Sequence, residues 1–208
     1  MTQDDLKLER SKLVKLAMEL VERKGTEVTR LMLANESQLA RSRIEHIFPE
    51  EADLFDAIVE DWYAPDIAIM EEVVASELPI QRKFYEFFAR RFVREQERFR
   101  ANPDTFALYL ELGQARFEQV RGYIDLADHY LSELVAQAQA EGHFDGLKID
   151  RALSLINQMV VCYTSPQVLM MLDGRLDESK LAQIIDTMFA GLTARTGSAA
   201  GVSNLRLA

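Results

Sequence analysis

The chain has 208 residues, of which 48% are hydrophobic and 28% charged, which is enough for one substantial core or for a small module joined to a larger one. Its net charge of −10 argues against a protein that coats nucleic acid non-specifically, and its single cysteine excludes an intramolecular disulfide. Only nine glycines and five prolines interrupt stretches rich in helix-forming residues, so the composition predicts an all-α fold.

Three helices are predicted in residues 1–48. Apolar residues recur at helical spacing up to Gly25, which ends the first helix. Thr29 can cap a short second helix, and a third runs from about Ala40 to Ile47 after a polar turn. This segment holds nine Lys and Arg against eight Asp and Glu, or +1, which leaves 15 against 26, or −11, for the rest of the chain. The first 48 residues are therefore not acidic, although the whole chain is.

Prolines and capping residues divide the remaining chain into helices. Pro49 breaks the pattern before a fourth helix, which Pro65 should kink or end, so this helix is expected in two pieces. Asn102 and Pro103 have the order of a cap and a first helical residue, and a long helical region follows them.

The last part of the chain predicts two more helices and a tail. Asp150 can cap a helix with a kink at Ser165 and Pro166, and Asp177 can cap the final helix. Residues 197–208 are small and polar, which is typical of a disordered terminus.

The sequence offers no motif for catalysis, for a metal ion or for a cofactor. It contains no paired carboxylates, Ser/His/Asp grouping or glycine-rich phosphate loop in a recognisable arrangement. No second soft ligand lies at metal-binding spacing from His129 or Cys162. The N-terminus lacks the pattern of a signal peptide, and no apolar stretch approaches the roughly 20 residues that a membrane-spanning helix needs. We therefore expect a cytoplasmic protein that is not an enzyme and has no membrane partner.

Several segments together carry a family resemblance. Residues 10–25 and 48–55, which frame the predicted helix-turn-helix, are similar to the corresponding stretches of the TetR family of bacterial transcription regulators. Residues 138–142, the two helices after them and residues 189–192 are similar to the C-terminal half of that family. The resemblance covers nearly the whole chain.

The resemblance implies a division of labour along the chain. Residues 1–48 would form a helix-turn-helix DNA-binding domain, and residues 49–196 a larger helical domain for ligand binding and dimerisation. Within residues 1–48, called the head below, the resemblance implies DNA contacts for a small set of residues. Arg41 or Arg43 could read guanine edges in the major groove. The alternative for these two arginines is a solvated basic pair that does not contact DNA. The candidate DNA-binding residues are Arg30, Arg41, Ser42, Arg43 and His46.

Three residues depart from the family pattern. Gln38 stands in the turn where the family has a glycine in the left-handed conformation, at a cost on the order of 1 kcal/mol. Glu45 replaces an aromatic residue that contacts phosphate, and Glu51 replaces a lysine at the start of the fourth helix. Both glutamates put negative charge near a polyanion.

The aromatic and methionine residues of the larger domain are candidates for lining a pocket that binds an apolar small molecule, although core packing explains any one of them as well. The candidates are Phe88, Phe106, Tyr109, Phe117, Tyr123, Met159 and Tyr163.

The last two helices are apolar on more than one face, so we expect them to pair with a second copy in a two-fold, four-helix interface. The candidate interface residues are Leu153, Val160, Leu181, Ile185, Met188 and Phe189.

Two hypotheses from different functional classes follow. The first is a ligand-responsive regulator, a repressor that acts as a homodimer on a double-stranded DNA operator and leaves it when an apolar effector favours the wrong half-site spacing. The second is a helical dimer of the same fold that has lost DNA binding and carries an apolar or lipid-like molecule, which the substitutions Gln38, Glu45 and Glu51 motivate. Operator affinity, or a co-purified ligand without it, separates the two.

Overall fold

The computed structural model describes residues 3–25 and 27–192, so the predicted tail and residues 193–196 lie outside the described part. Within that part every regular element is helical, which confirms the predicted all-α fold. The described residues form ten α-helices: α1 (Gln3–Lys24), α2 (Arg30–Ser37), α3 (Arg41–Ile47), α4 (Glu51–Ala75), α5 (Ile80–Ala101), α6 (Pro103–Ala115), α7 (Phe117–Ala140), α8 (Ile149–Thr164), α9 (Pro166–Leu172) and α10 (Glu178–Gly191), with a short 3₁₀ helix, Asp173–Arg175, after α9.

The chain forms two compact units. Unit 1 comprises residues 1–72 and 93–127, and unit 2 comprises residues 73–92 and 128–208. Helices α1, α2, α3 and α6 lie wholly in unit 1, and α8, α9 and α10 wholly in unit 2. Each of α4, α5 and α7 contributes residues to both.

Polar side chains begin three helices as the sequence predicts. Thr29, Asn102 and Asp177 each accept a hydrogen bond from the backbone N–H three residues further on, at 3.2, 3.0 and 2.8 Å. These bonds satisfy N–H groups that have no partner inside the first turn of a helix. The helix starts at α2, α6 and α10 are thus set locally by the sequence.

The predicted cap of α8 is wrong. The helix begins at Ile149, Lys148 stands at the cap position without a side-chain hydrogen bond, and Asp150 lies within the first turn. An acidic side chain there still favours the positive end of the helix dipole. The predicted kink further on is a break between α8 and α9 at Ser165, where the two helical segments bend by 51°.

Pro65 does not divide α4, contrary to the expected two pieces, because the helix is continuous through it. A proline removes one backbone N–H and disturbs the carbonyl groups of the preceding turn. The carbonyl oxygen of Trp62, three residues earlier, accepts hydrogen bonds from Nη2 of Arg98 at 2.9 Å and of Arg94 at 3.3 Å. These arginines of α5 supply donors at the interrupted turn.

The same arginines anchor a charged cluster in unit 1. Nη1 of Arg94 lies 2.9 Å from Oδ2 of the buried Asp66, and Nη1 of Arg98 lies 2.9 Å from Oε1 of Glu95. The guanidinium of Arg98 also lies over the Trp62 ring, 4.0 Å from its centroid. Burial raises the pKa of the Glu95 carboxyl. Because removing one partner of such a pair leaves a buried charge uncompensated, the cluster fixes α4 against α5 within unit 1.

Aromatic packing dominates one part of unit 2. The ring of Phe189 lies 5.1 Å from that of Phe84 and 4.8 Å from that of Phe144, centroid to centroid. Phe144 adopts a φ of +55°, a conformation that bulky side chains rarely occupy, and is buried. The tertiary contacts of these rings offset the strained backbone of the loop before α8.

The turn between α2 and α3 uses the conformation expected of it. Gln38 has φ 59° and ψ 20°, which is the left-handed region that the sequence comparison with the TetR pattern predicts at this position. A Cβ atom in this region clashes with the neighbouring carbonyl group. The exposed Gln38 side chain therefore carries a local backbone cost that a glycine would not.

We expect Gln38→Gly to raise the free energy of unfolding by up to about 1 kcal/mol, because glycine adopts this conformation without the steric cost. Urea unfolding followed by circular dichroism measures the change. Gln38→Val is the matched control, since a β-branched residue fits the left-handed region less well and should lower stability. If both variants unfold at the midpoint of the wild type, the turn is not strained.

Candidate nucleic-acid interface

The orientation of α3 is set by a hydrophobic core in unit 1. Ile44 and Phe48 are fully buried and belong to one cluster with Leu20 of α1 and Leu33 of α2. The cluster continues into α4 through Leu54, so the core does not end at the predicted domain boundary at residue 48. Because the inner face of α3 is committed to this core, the opposite face is the one available to a ligand.

Three of the predicted DNA-binding residues lie on the outward face of α3. Arg41, Ser42 and His46 are all exposed, and the Arg41 side chain is 71% exposed. Nε of Arg41 donates a hydrogen bond to Oε1 of Glu45, one helical turn further on, at 2.7 Å. An exposed pair of this kind contributes little to stability and exchanges readily for another partner.

Arg43 is placed differently. Its side chain is 25% exposed, and it holds Glu9 of α1 through Nε, at 3.2 Å from Oε1, and through Nη2, which contacts Oε2. The hydrogen bond from Arg43 lowers the pKa of the Glu9 carboxyl. Two parallel hydrogen bonds to a carboxylate are geometrically specific, so this pair links α3 to α1.

Arg30, another of the predicted DNA-binding residues, has its partners within unit 1. Nη1 donates to the carbonyl oxygens of Phe48, at 3.0 Å, and of Pro49, while Nε lies 3.4 Å from Oε1 of Glu51. The backbone N–H of Arg30 donates to Oε2 of Glu51 at 2.9 Å. Glu51 therefore caps α2 from the first turn of α4. Sequence reasoning places Glu51 in the first turn of the fourth helix and near DNA, but it missed this contact with the start of α2.

The predicted pocket residues are divided between the two units. Four of the seven lie in unit 1 and three in unit 2. Tyr109 donates a hydrogen bond to the carbonyl of Met18 at 3.2 Å, and Tyr123 stacks on Tyr63 with ring centroids 3.8 Å apart. In exposure, the seven range from the buried Phe88, Phe106 and Tyr163 through the half-buried Tyr109 and Tyr123 to the exposed Met159 and Phe117.

Most of the predicted interface residues pack within the chain itself. Leu153 and Phe189 are half-buried, whereas the other four are buried in unit 2. The large apolar side chains that α8 and α9 expose are not among the six predicted residues. Ile149 and Met159 are each 37% exposed, Val161 is 45% exposed and Met171 is 81% exposed. The four buried predicted residues are Val160, Leu181, Ile185 and Met188.

Helix length and composition also bear on membranes. In the described part of the chain, no single helix has the length and apolar character to cross a bilayer. One bent pair, Ile149–Thr164 with Pro166–Arg175, meets these criteria on length and composition alone.

Comparison with known families assigns the chain to a protein family. The sequence model of the tetracyclin repressor-like C-terminal domain matches residues 81–185, which is half of the chain. The protein belongs to the TetR family. A comparison with curated proteins gave no match.

Solved TetR-family structures share its fold. A candidate TetR-family transcriptional regulator from Mesorhizobium loti has a TM-score of 0.64 at 11% identity, with 92% of this chain and 97% of that chain covered. A TetR/AcrR-family regulator from Thermobifida fusca has a TM-score of 0.58 at 19% identity, with coverage of 88% and 97%. The regulator FadR from Bacillus subtilis, solved in complex with stearoyl-CoA, has a TM-score of 0.57 at 18% identity, with coverage of 87% and 98%.

We expect that restoring the lysine of the TetR pattern with Glu51→Lys will destabilise this member of the family by about 1 kcal/mol or more. The change removes the carboxylate that accepts from the Arg30 N–H and places an ammonium beside the Arg30 guanidinium. Chemical denaturation measures the loss. Glu50→Lys makes the same change of charge one residue earlier and should cost less. Equal stability of the two variants would refute the capping role of Glu51.

Proposed function

We propose that this TetR-family protein is a ligand-responsive DNA-binding regulator of transcription, and specifically a cytoplasmic repressor that acts as a homodimer and has no enzymatic activity. The observation that supports this best is the outward face of α3, where Arg41, Ser42 and His46 are exposed on a helix whose inner face is held by the buried Ile44. Basic and hydroxyl side chains on such a face suit contacts with base edges and phosphates.

The partners of Glu45 and Glu51, each of which pairs with an arginine, support DNA binding over the alternative of a lipid carrier. The Glu45 carboxylate lies against Arg41, and the Glu51 carboxylate lies against Arg30 and the start of α2. In the protein without DNA each carboxylate is paired with an arginine, so the substitutions that motivate the alternative do not by themselves disable the head. Gln38 also keeps the turn conformation that the motif needs.

The decisive experiment is binding of the purified protein to DNA flanking its own coding region, measured by fluorescence anisotropy at several salt concentrations. We expect specific binding that weakens as salt rises. Arg41→Ala should weaken it by roughly tenfold or more, since a bidentate contact with a base contributes about 1–3 kcal/mol.

Arg82→Ala is the matched control, because Arg82 is also exposed and paired with a glutamate one turn away, but it lies in unit 2. It should leave DNA affinity unchanged. Absence of binding to every fragment at low salt would reject the regulator, and mass spectrometry of the native protein would then test for a co-purified lipid.

A homodimer is part of the proposal, and its candidate interface includes residues other than the six predicted from the sequence. Four of the predicted interface residues are already buried in unit 2, which leaves the half-buried Leu153 and Phe189 and the apolar side chains that α8 and α9 expose as contacts for a partner. Met159, Val161 and Met171 are exposed and apolar, which suits a two-fold contact between identical helices. Such symmetry would present two α3 helices to two half-sites of one operator.

The effector class to test first is a long-chain acyl thioester. The aromatic and methionine residues of the larger domain suit an apolar chain, and the similarly folded FadR of Bacillus subtilis was solved with stearoyl-CoA. We expect stearoyl-CoA to release the protein from its operator at micromolar concentrations, whereas free coenzyme A should not. Release by both compounds to the same extent, or by neither, would exclude the acyl chain as the signal.

A further inference from the structure

The two arginines of α3 differ in ways that predict different tasks. The Arg41 side chain is 71% exposed and its partner, Glu45, lies on the same helix. The Arg43 side chain is 25% exposed and its partner, Glu9, lies on α1. Arg41 can therefore turn towards a ligand without altering the contact between helices, whereas Arg43 cannot.

On the basis of the proposed DNA binding, we propose that Arg41 and Glu45 form one base-reading pair, which selects a guanine and a neighbouring cytosine in each half-site. Arg43, by contrast, is a positioning residue that Glu9 holds against α1. This assigns the sequence preference of the head to two residues and removes Arg43 from the DNA contacts.

The chemistry of the first pair accounts for the acidic residue. An arginine donates two hydrogen bonds to O6 and N7 of guanine, and a carboxylate accepts from the N4 amino group of cytosine. When Arg41 turns to a guanine, the Glu45 carboxylate loses its partner close to the phosphates. A cytosine amino group replaces that partner, whereas the acceptor of a thymine would repel the carboxylate. A site with guanine next to cytosine satisfies both side chains.

The second pair sets the position of α3. Arg43 precedes the buried Ile44, so its hydrogen bonds to Glu9 act beside the residue that seats α3 in the core. Breaking the pair would leave the helix less well oriented on α1 and weaken contacts with every DNA sequence alike. Arg43 would then act on DNA through the placement of α3.

Selection from a library of DNA with randomised half-sites tests the base-reading pair. The wild type should enrich guanine next to cytosine. Arg41→Ala should lose the preference for guanine, and Glu45→Ala the preference for cytosine. Glu45→Gln should shift that position towards adenine, because an amide matches N6 and N7 of adenine. If Glu45→Ala selects the wild-type sequence and binds it more tightly, Glu45 is only repulsive and the assignment is wrong.

The positioning role is tested by the salt dependence of Glu9→Gln. Glu36→Gln is the matched control, since Glu36 pairs with Arg23 of α1 and not with α3. If Arg43 only positions α3, Glu9→Gln binds every DNA sequence more weakly than Glu36→Gln, and both variants keep the same slope of log affinity against log salt. If Glu9 instead withholds a phosphate contact, Glu9→Gln frees Arg43 and steepens the slope by about 0.9 relative to the control, which overturns the assignment.

A readout without DNA separates this inference from the proposed function. Thermal unfolding of Glu9→Gln, Arg43→Gln and the double variant should show coupling, with the double variant more stable than the two separate losses predict. Additive losses would overturn the positioning role. Failure of the wild type to bind any DNA would reject the proposed function and the base-reading pair together, while the coupling would still decide the role of Arg43.

Discussion

The seating of Ile44 in the core of the head is the contact on which the rest of the candidate site depends. With Phe48 it fixes which face of a short helix points inward, and the positions of Arg41 and His46 then follow from helical periodicity alone. A helix of this length is not stable by itself, because nucleation is costly and few hydrogen bonds repay it. Its orientation is therefore a property of α1, α2 and α4, which build that core.

Part of this structure was predictable because its causes are local. A cap acts three residues away, so Thr29 and Asp177 could be assigned from neighbouring residues, whereas the left-handed turn at Gln38 was expected from the TetR resemblance. One failure was local, since Asp150 lies in the first turn of α8 and not at its cap position. Another was at a position where tertiary contacts decide. Pro65 remains inside α4, where arginines of α5 donate hydrogen bonds to the Trp62 carbonyl. No pattern in residues 51–75 predicts these contacts.

The candidate site divides in the same way. The exposure of Arg41 follows from the period of α3, but the partners of Arg43 and Arg30 lie 34 and 21 residues away in sequence. Periodicity predicts the face on which a side chain lies and not the residue it meets across the core. The predicted dimer contacts depend on a similar distinction, since Ile185 is equally apolar whether its own chain or a partner covers it.

If the head binds DNA as proposed, the charge distribution would make its affinity depend on sequence more than on phosphate. Residues 1–48 carry +1 and the rest of the chain −11, so the larger part of the protein is repelled by DNA. Within the head, Arg30, Arg41 and Arg43 are each compensated by a glutamate. Weak attraction to arbitrary DNA lowers competition from the many non-specific sites of a genome. With the proposed base-reading pair, selectivity would come from the exchange of an internal carboxylate for a correct base, because an incorrect base would give the displaced carboxylate no donor.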